Sequence, residues 1–143
     1  MPIPEFRPDG YLPEGLYSAT EEEVISRFGV LSPRRRYLLL RVRRWLTLAR
    51  AVGAHRFLLD GSFVTRKEVP GDVDAVVWLP EHFSAQANTV GDIALELLEI
   101  LVTRHPEELF AAEDENDWNG WLDFFSRTRE PDSRRKGLVE REL

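Results

Sequence analysis

Two short apolar runs decide the fold of this chain: Arg56-Phe57-Leu58-Leu59-Asp60-Gly61-Ser62 and Asp72-Val73-Asp74-Ala75-Val76-Val77-Trp78-Leu79. Both are rich in large apolar residues and are bounded by turn-forming residues, which predicts strands over 56–60 and 72–79. Gly61 and Ser62 end the first strand, and Pro80 closes the second. Residues 63–71 then form a polar connection between the two strands.

Capping signals predict helices on both sides of this strand pair. Thr20 followed by Glu23 is typical of a capping box, which would open a short helix over 21–28. Ser32 and Gly53 bound a long amphipathic stretch, which predicts a helix over 33–52. Two further helices are expected, one over 91–104 and one after an acidic loop at 114–117.

The remaining segments complete one domain over 1–143. Residues 109–112 predict a third strand, and the tail 136–143 is expected to close the sheet as an edge strand. Residues 1–19 are rich in proline and glycine, which indicates a turn-rich arm packed on the domain. The predicted fold class is therefore α/β (α+β), with one mixed sheet and flanking helices.

Aromatic residues recur at helical spacing after the acidic loop. They are Trp118, Trp121, Phe124 and Phe125. This spacing is more typical of a helix face that packs in the core than of a surface on which bases stack.

Composition excludes several classes of function. The chain has 143 residues, a formal charge of −6 and no cysteine, so disulfides, thiolate catalysis and iron–sulfur clusters are excluded. No apolar run approaches the roughly 20 residues of a membrane span, and the first residues lack the layout of a signal peptide. We therefore expect a cytoplasmic protein with no membrane partner.

The aspartates of the second run are the strongest chemical signal. Side chains alternate along a strand, so Asp72 and Asp74 are expected on the same face, a few ångströms apart. Two carboxylates held so closely repel each other unless a cation lies between them. Hard oxygen ligands favour Mg²⁺ or Mn²⁺, which also accept phosphate oxygens. The alternative is that these aspartates only solubilise the strand ends.

The Gly61-Ser62 corner suggests a phosphate site beside these carboxylates. Gly61 has no Cβ, so backbone N–H groups at the strand end can approach a phosphate closely, and Ser62 adds a hydroxyl donor. Lys67 lies in the connection, within reach of such a phosphate, although an ordinary solvated loop would also place a lysine there. Bound metal and phosphate together are what phosphoryl or nucleotidyl transfer requires.

These residues resemble the signature of the DNA polymerase β-type nucleotidyltransferase superfamily. In that group Gly-Ser ends one strand and Asp-x-Asp lies on the next, as at Gly61-Ser62 and Asp72-Val73-Asp74. The flanks are also similar to a bacterial family of small stand-alone nucleotidyltransferase-like proteins, and this likeness spans nearly the whole chain. It lies in three segments: Phe6 with Gly10-x-Leu12-Pro13, Asp60 to Val64, and Phe124-Phe125 with Lys136-Gly137.

The resemblance implies roles for particular residues. Asp72 and Asp74 would bind two metal ions, while Gly61, Ser62 and Lys67 would bind the triphosphate of a nucleotide. A third carboxylate on a neighbouring strand would act as metal ligand or base. Glu108 fits that place best because it begins a strand in an acid-apolar-apolar pattern; Glu113 is the second choice, and Glu107 is also nearby.

The resemblance further implies a reaction, and alternatives to it stay open. The expected activity is transfer of a nucleoside monophosphate from a nucleoside triphosphate to a protein side chain, an RNA end or a small molecule. A protein partner would supply specificity, and small members of the superfamily often act in toxin–antitoxin or phage-defence settings. One alternative is a catalytically inactive nucleotide- or partner-binding module that keeps the fold. Another is a sugar-nucleotide transferase that uses Asp-x-Asp but gives Gly61-Ser62 no role.

Overall fold

The computed structural model describes residues 3–85, 92–103, 108–132 and 134–143, which form a five-stranded mixed sheet with helices on both faces. The strands are β1 (Gly15–Ala19), β2 (Arg56–Asp60), β3 (Asp74–Trp78), β4 (Leu109–Ala112) and β5 (Gly137–Arg141). The helices are α1 (Glu21–Val24), α2 (Pro33–Val52), α3 (Asp92–Thr103) and α4 (Glu115–Ser126). The described residues also include two short helical turns, a π-helical one at Ile25–Gly29 and a 3-10 one at Ser62–Val64. The predicted mixed α/β architecture is confirmed.

The strand order of the sheet is β1-β5-β2-β3-β4. The central strands β2 and β3 are antiparallel, with Asp60 opposite Asp74, and β4 runs parallel to β3, with Leu109 opposite Ala75. This register brings the end of β2 and the starts of β3 and β4 together at one end of the sheet. Asp60, Asp74 and Glu108 lie at this end of the sheet.

The two faces of the sheet carry separate apolar clusters. Alternation along β2 directs Phe57 and Leu59 into the larger cluster, which includes residues of α2 and α3, while Leu58 joins the cluster under α4. All three side chains are fully buried. In the described part of the chain, no helix is both long and apolar enough to cross a lipid bilayer.

The capping signals of the sequence are confirmed. The Ser32 hydroxyl accepts a hydrogen bond from the Arg35 backbone N–H (3.2 Å), and Gly53 ends α2 in the left-handed conformation at φ 78°. Thr20 and Glu23 form the reciprocal capping box of α1. The short helix predicted over 21–28 is divided between α1 and the π-helical turn, and positions 91 and 104 of the predicted helix 91–104 lie outside the described residues.

At both chain ends the structure differs from the predicted turn-rich arm and edge strand. Residues 15–19 are not part of a turn-rich arm but form β1, which pairs in parallel with β5. Strand β5 also pairs with β2, so the C-terminal strand lies inside the sheet rather than at its edge. Nothing in the local sequence of residues 15–19 signals this pairing, because the partner strand lies at the other end of the chain.

The predicted acidic loop at 114–117 is a helix start. The Asp114 carboxylate accepts a hydrogen bond from the Asp117 backbone N–H (2.8 Å), and α4 begins at Glu115. Acidic residues in the first turn are stabilised by the positive end of the helix dipole, so the same residues that resemble a loop also favour a helix N-terminus.

Candidate functional site

Asp72 lies just before β3, held by the corner that ends β2. Its carboxylate oxygen Oδ1 accepts hydrogen bonds from the Ser62 backbone N–H (2.8 Å) and the Ser62 hydroxyl (2.7 Å). The predicted strand 72–79 therefore begins two residues later, at Asp74, and ends at Trp78. The position of Asp72 depends on Ser62 rather than on strand alternation.

Gly61 permits this close packing because it has no side chain. Its backbone has φ 84° and ψ −177°, a conformation that is essentially restricted to glycine. A Cβ added here would lie 3.0 Å from the Asp74 backbone nitrogen and 3.2 Å from Asp72 Oδ1. The Gly61 N–H donates to Asp60. The N–H groups of Gly61 and Ser62 therefore already donate to aspartates. The phosphate contacts predicted for these two residues stay predictions.

Three carboxylates meet at this end of the sheet. One oxygen from each of Asp72, Asp74 and Glu108 lies within 4.8 Å of the other two, and all three residues are half-buried. Glu108 reaches this position because it immediately precedes β4, and its carbonyl oxygen accepts a hydrogen bond from the Ala75 N–H (3.0 Å). Among the described residues, no lysine or arginine forms an ion pair with any of the three.

Burial and the neighbouring carboxylates change the protonation of Asp74. Burial is the largest cause and raises its pKa to about 9, and a hydrogen bond with Glu108 adds to this effect. The charges of Asp72 and Asp60 act in the same direction. Without a cation, Asp74 therefore keeps its proton at neutral pH, in a hydrogen bond with Glu108.

A buried ion pair lies beside the cluster. Lys136 Nζ donates to Asp60 Oδ1 at 2.7 Å, and both side chains are almost fully buried. Burial raises the pKa of Asp60 to about 6, although the Lys136 ammonium acts in the opposite direction. Both residues line the same cleft as Asp72 and Asp74. The sequence gives no signal for this pair, because its members lie on β2 and just before β5.

A cleft of about 740 Å³ opens onto these carboxylates. Its other residues come from the segment after β2, from residues 9–11 and from the end of α4 with the residues that follow. Three exposed cations, Arg66, Lys67 and Arg129, line it and form no ion pair with any described carboxylate. Lys67 lies on the wall of the cleft, and its predicted contact with a phosphate stays a prediction.

Comparison with known families assigns the chain to a group but not to an activity. Residues 4–142 match the model of a family of unknown function, DUF6932. The chain belongs to this family. Neither the curated proteins nor the solved structures give a match.

The second candidate for the third carboxylate lies elsewhere in this DUF6932 protein. Glu113 follows β4 at its opposite end, about 16 Å along the strand from Glu108 by the usual rise per residue. It is exposed, and its backbone N–H donates to Asp117. Glu113 is therefore excluded from the carboxylate cluster, and Glu107 lies outside the described residues.

A buried arginine that the sequence reasoning missed braces the cleft wall. Arg35 is 3% exposed, and its guanidinium donates to four backbone carbonyls. Three of these belong to Phe63, Thr65 and Lys67, in the segment after the Gly61-Ser62 corner. A signal was available, because Arg35 precedes Leu38 by three residues and therefore lies on the buried face of α2.

Phe124 contradicts the prediction that all four aromatic residues of α4 are core. Trp118 and Phe125 are buried and Trp121 is half-buried, but Phe124 is 63% exposed. It lines the cleft together with Phe125. Helical spacing alone cannot separate these residues, because adjacent positions 124 and 125 lie near the boundary of the apolar face.

Proposed function

We propose that this protein is a metal-dependent nucleotidyltransferase, which moves a nucleoside monophosphate group from a nucleoside triphosphate to an acceptor hydroxyl. The observation that carries the proposal is the convergence of Asp72, Asp74 and Glu108 beside the Gly61-Ser62 corner, where Asp72 and Asp74 line an open cleft. The likeness of these motifs to the polymerase β-type superfamily supports the same conclusion.

The donor set fits a hard divalent cation. Asp72, Asp74 and Glu108 offer only carboxylate oxygens, which favour Mg²⁺ or Mn²⁺ over softer metals. Burial, the hydrogen bond with Glu108 and the nearby negative charges all raise the pKa of Asp74, so a bound cation would relieve an unfavourable site for its charged form. When bound, the metal would lower the pKa of the acceptor hydroxyl and stabilise the charge of the leaving group.

The cations of the cleft fit the polyphosphate. Lys67, Arg66 and Arg129 are exposed and unpaired with described acids, so they can contact phosphate oxygens without breaking an ion pair. In the reaction, a bond forms between the acceptor oxygen and the α-phosphorus. The bond from the α-phosphorus to the bridging oxygen breaks, pyrophosphate leaves, and the hydroxyl proton passes to solvent.

Two measurements on the purified protein test this proposal. Calorimetry would measure nucleoside triphosphate binding with Mg²⁺ and with EDTA, and α-³²P-labelled triphosphates would be incubated with pools of cellular RNA and protein. We expect Mg²⁺-dependent binding and transfer of the label to one pool. Asp74→Asn should lower transfer on the order of 100-fold, because it removes one of the carboxylate oxygens that would bind the metal ion.

Glu113→Gln is the matched control, since it removes a carboxylate at the other end of β4. It should leave binding and transfer unchanged. Equal transfer by wild type and Asp74→Asn would reject the role of the cluster. Mg²⁺-dependent binding without transfer to either pool, or to an added pool of small metabolites with free hydroxyl groups, would instead identify an inactive nucleotide-binding module with the same fold.

A further inference from the structure

The part of the cleft wall that comes from α4 differs in chemistry from the part that carries the carboxylates. It is built by the last turn of α4 and the residues after it: Phe124, Phe125, Arg127, Thr128 and Arg129. One side of the cleft thus offers acids suited to a metal, and the other offers aromatic rings and guanidinium groups. A ligand that fits both sides would combine an anionic group with an apolar, planar one.

Phe124 is held in place by its neighbours without being covered by them. Its ring meets Trp121 at 84° with centroids 6.0 Å apart, and Phe125 at 79° with centroids 5.1 Å apart. Neither neighbour stacks parallel on the Phe124 ring, and the residue remains 63% exposed. The ring is therefore positioned, yet open to a further partner.

The packing of α4 does not depend on Phe124. Trp118 is fully buried, Phe125 is 8% exposed, and Trp121 Nε1 donates to the Ala111 carbonyl oxygen at 3.1 Å. These three side chains attach the helix to the sheet. An exposed phenylalanine on a cleft wall, with no part in this attachment, is available to a ligand.

We propose that Phe124 stacks on the base of the nucleoside triphosphate, an inference that rests on the proposed function. Each base has a flat π-face that an aromatic ring can cover, while the triphosphate extends toward Lys67 and the carboxylates. The cleft, at about 740 Å³, is within the usual range for small-molecule sites. Arg129, also on this wall, adds a cation that forms no ion pair with any carboxylate the structure describes.

Stacking on the base also predicts how the site discriminates among nucleotides. A ring that contacts the face of a base reads none of its hydrogen-bonding edges, so all four bases can bind. We therefore expect the four nucleoside triphosphates to bind with affinities closer to one another than to that of inorganic tripolyphosphate, which lacks a base.

Calorimetry with Mg²⁺ tests this by comparing ATP, UTP and inorganic tripolyphosphate. Wild type should bind both nucleotides more tightly than tripolyphosphate. Phe124→Ala should weaken nucleotide binding about 5- to 150-fold, the range for loss of one base–aromatic stack, without changing tripolyphosphate binding. Phe124→Trp, which keeps a ring, should retain nucleotide affinity. Leu40→Ala is the control, because Leu40 is 65% exposed on α2 and does not line the cleft.

The outcomes separate this inference from the proposed function. Unchanged nucleotide binding by Phe124→Ala, with Mg²⁺-dependent tripolyphosphate binding intact, would overturn the stacking role alone and leave Phe124 to contact a protein partner. Equal weakening of nucleotide and tripolyphosphate binding would overturn it too, since stacking acts only on the base. Absence of Mg²⁺-dependent binding for all three ligands would overturn the proposed function, and the stacking role with it.

Discussion

At the scale of single residues, Asp74 is the group whose chemistry depends most on its surroundings. Burial and the neighbouring carboxylates raise its pKa to about 9, whereas an aspartate in an unfolded chain has a pKa near 3.9. Between these values the metal-free folded protein binds one more proton than the unfolded chain. Asp74 therefore makes the free energy of unfolding fall as pH rises through this window.

We expect this slope to be visible between pH 6.5 and 8.5 in EDTA. The window lies above the pKa of about 6 for Asp60, so that residue contributes little to the slope. Over it, the free energy of unfolding from urea titrations should fall by at most about 1.4 kcal/mol per pH unit in wild type. Asp74→Asn should lack this component, because the amide does not titrate, and Glu113→Gln should keep it. Parallel slopes for wild type and Asp74→Asn would contradict the assignment.

At the scale of elements, the turn that links β2 to the 3-10 turn at Ser62–Val64 controls the site. Gly61 adopts a conformation that other residues avoid, and it packs directly against the backbone of Val73 and Asp74. Ser62 then holds Asp72, and Arg35 of α2 holds the carbonyls that follow. Asp72, a proposed metal ligand, is thus positioned by backbone geometry at this corner rather than by strand register alone.

Substitution of Gly61 should therefore affect stability and metal binding together. Gly61→Ala is expected to cost about 1–3 kcal/mol of unfolding free energy, from its φ of 84° and its contacts at 3.0–3.2 Å. Because the added Cβ displaces Asp72, Mg²⁺ binding measured by calorimetry should weaken about tenfold or more.

Gly53→Ala is the matched control for this change. Gly53 also has a positive φ, 78°, but a Cβ there meets no atom within 4 Å. It should lower stability by about 1–2 kcal/mol and leave Mg²⁺ binding unaltered. If both variants bind Mg²⁺ like wild type, the corner does not position the ligands.

At the scale of the whole molecule, the two ends of the chain join one sheet. Strand β5 lies between β1 and β2, and Lys136, just before it, pairs with Asp60 at the floor of the cleft. The site therefore depends on a contact between distant parts of the sequence. An interior strand forms backbone hydrogen bonds with a neighbour on each side, whereas an edge strand leaves the N–H and C=O groups of one side unpaired.

Truncation distinguishes an interior β5 from the edge strand that the sequence suggests. Removal of residues 137–143 should prevent folding, because it leaves β1 without its sheet partner and exposes one side of β2. Circular dichroism would measure the secondary structure of the truncated chain, and urea titration would show whether it unfolds cooperatively. Removal of residues 142–143, which follow β5, should change stability by no more than about 1 kcal/mol. A cooperatively folded 1–136 fragment would contradict the interior position.

Local chemistry in the sequence determined much of this protein. The caps at Ser32 and Gly53 and the strand at 56–60 follow from neighbouring residues, whose signals act over a few positions, and the strand predicted over 72–79 is present in shorter form at 74–78. The grouping of Asp72 and Asp74 near Gly61-Ser62 was also expected, although hydrogen bonds from Ser62 rather than strand alternation place Asp72. Glu108 was also placed correctly beside them, but by its resemblance to a family pattern.

Only the tertiary structure decided the rest. The pairing of β1 with β5, the bond from Lys136 to Asp60 and the exposure of Phe124 each depend on groups far apart in the chain, or on which side of α4 meets the sheet. Short segments such as residues 15–19 become strands through their partners, since a strand's hydrogen bonds are made with another strand and not within itself.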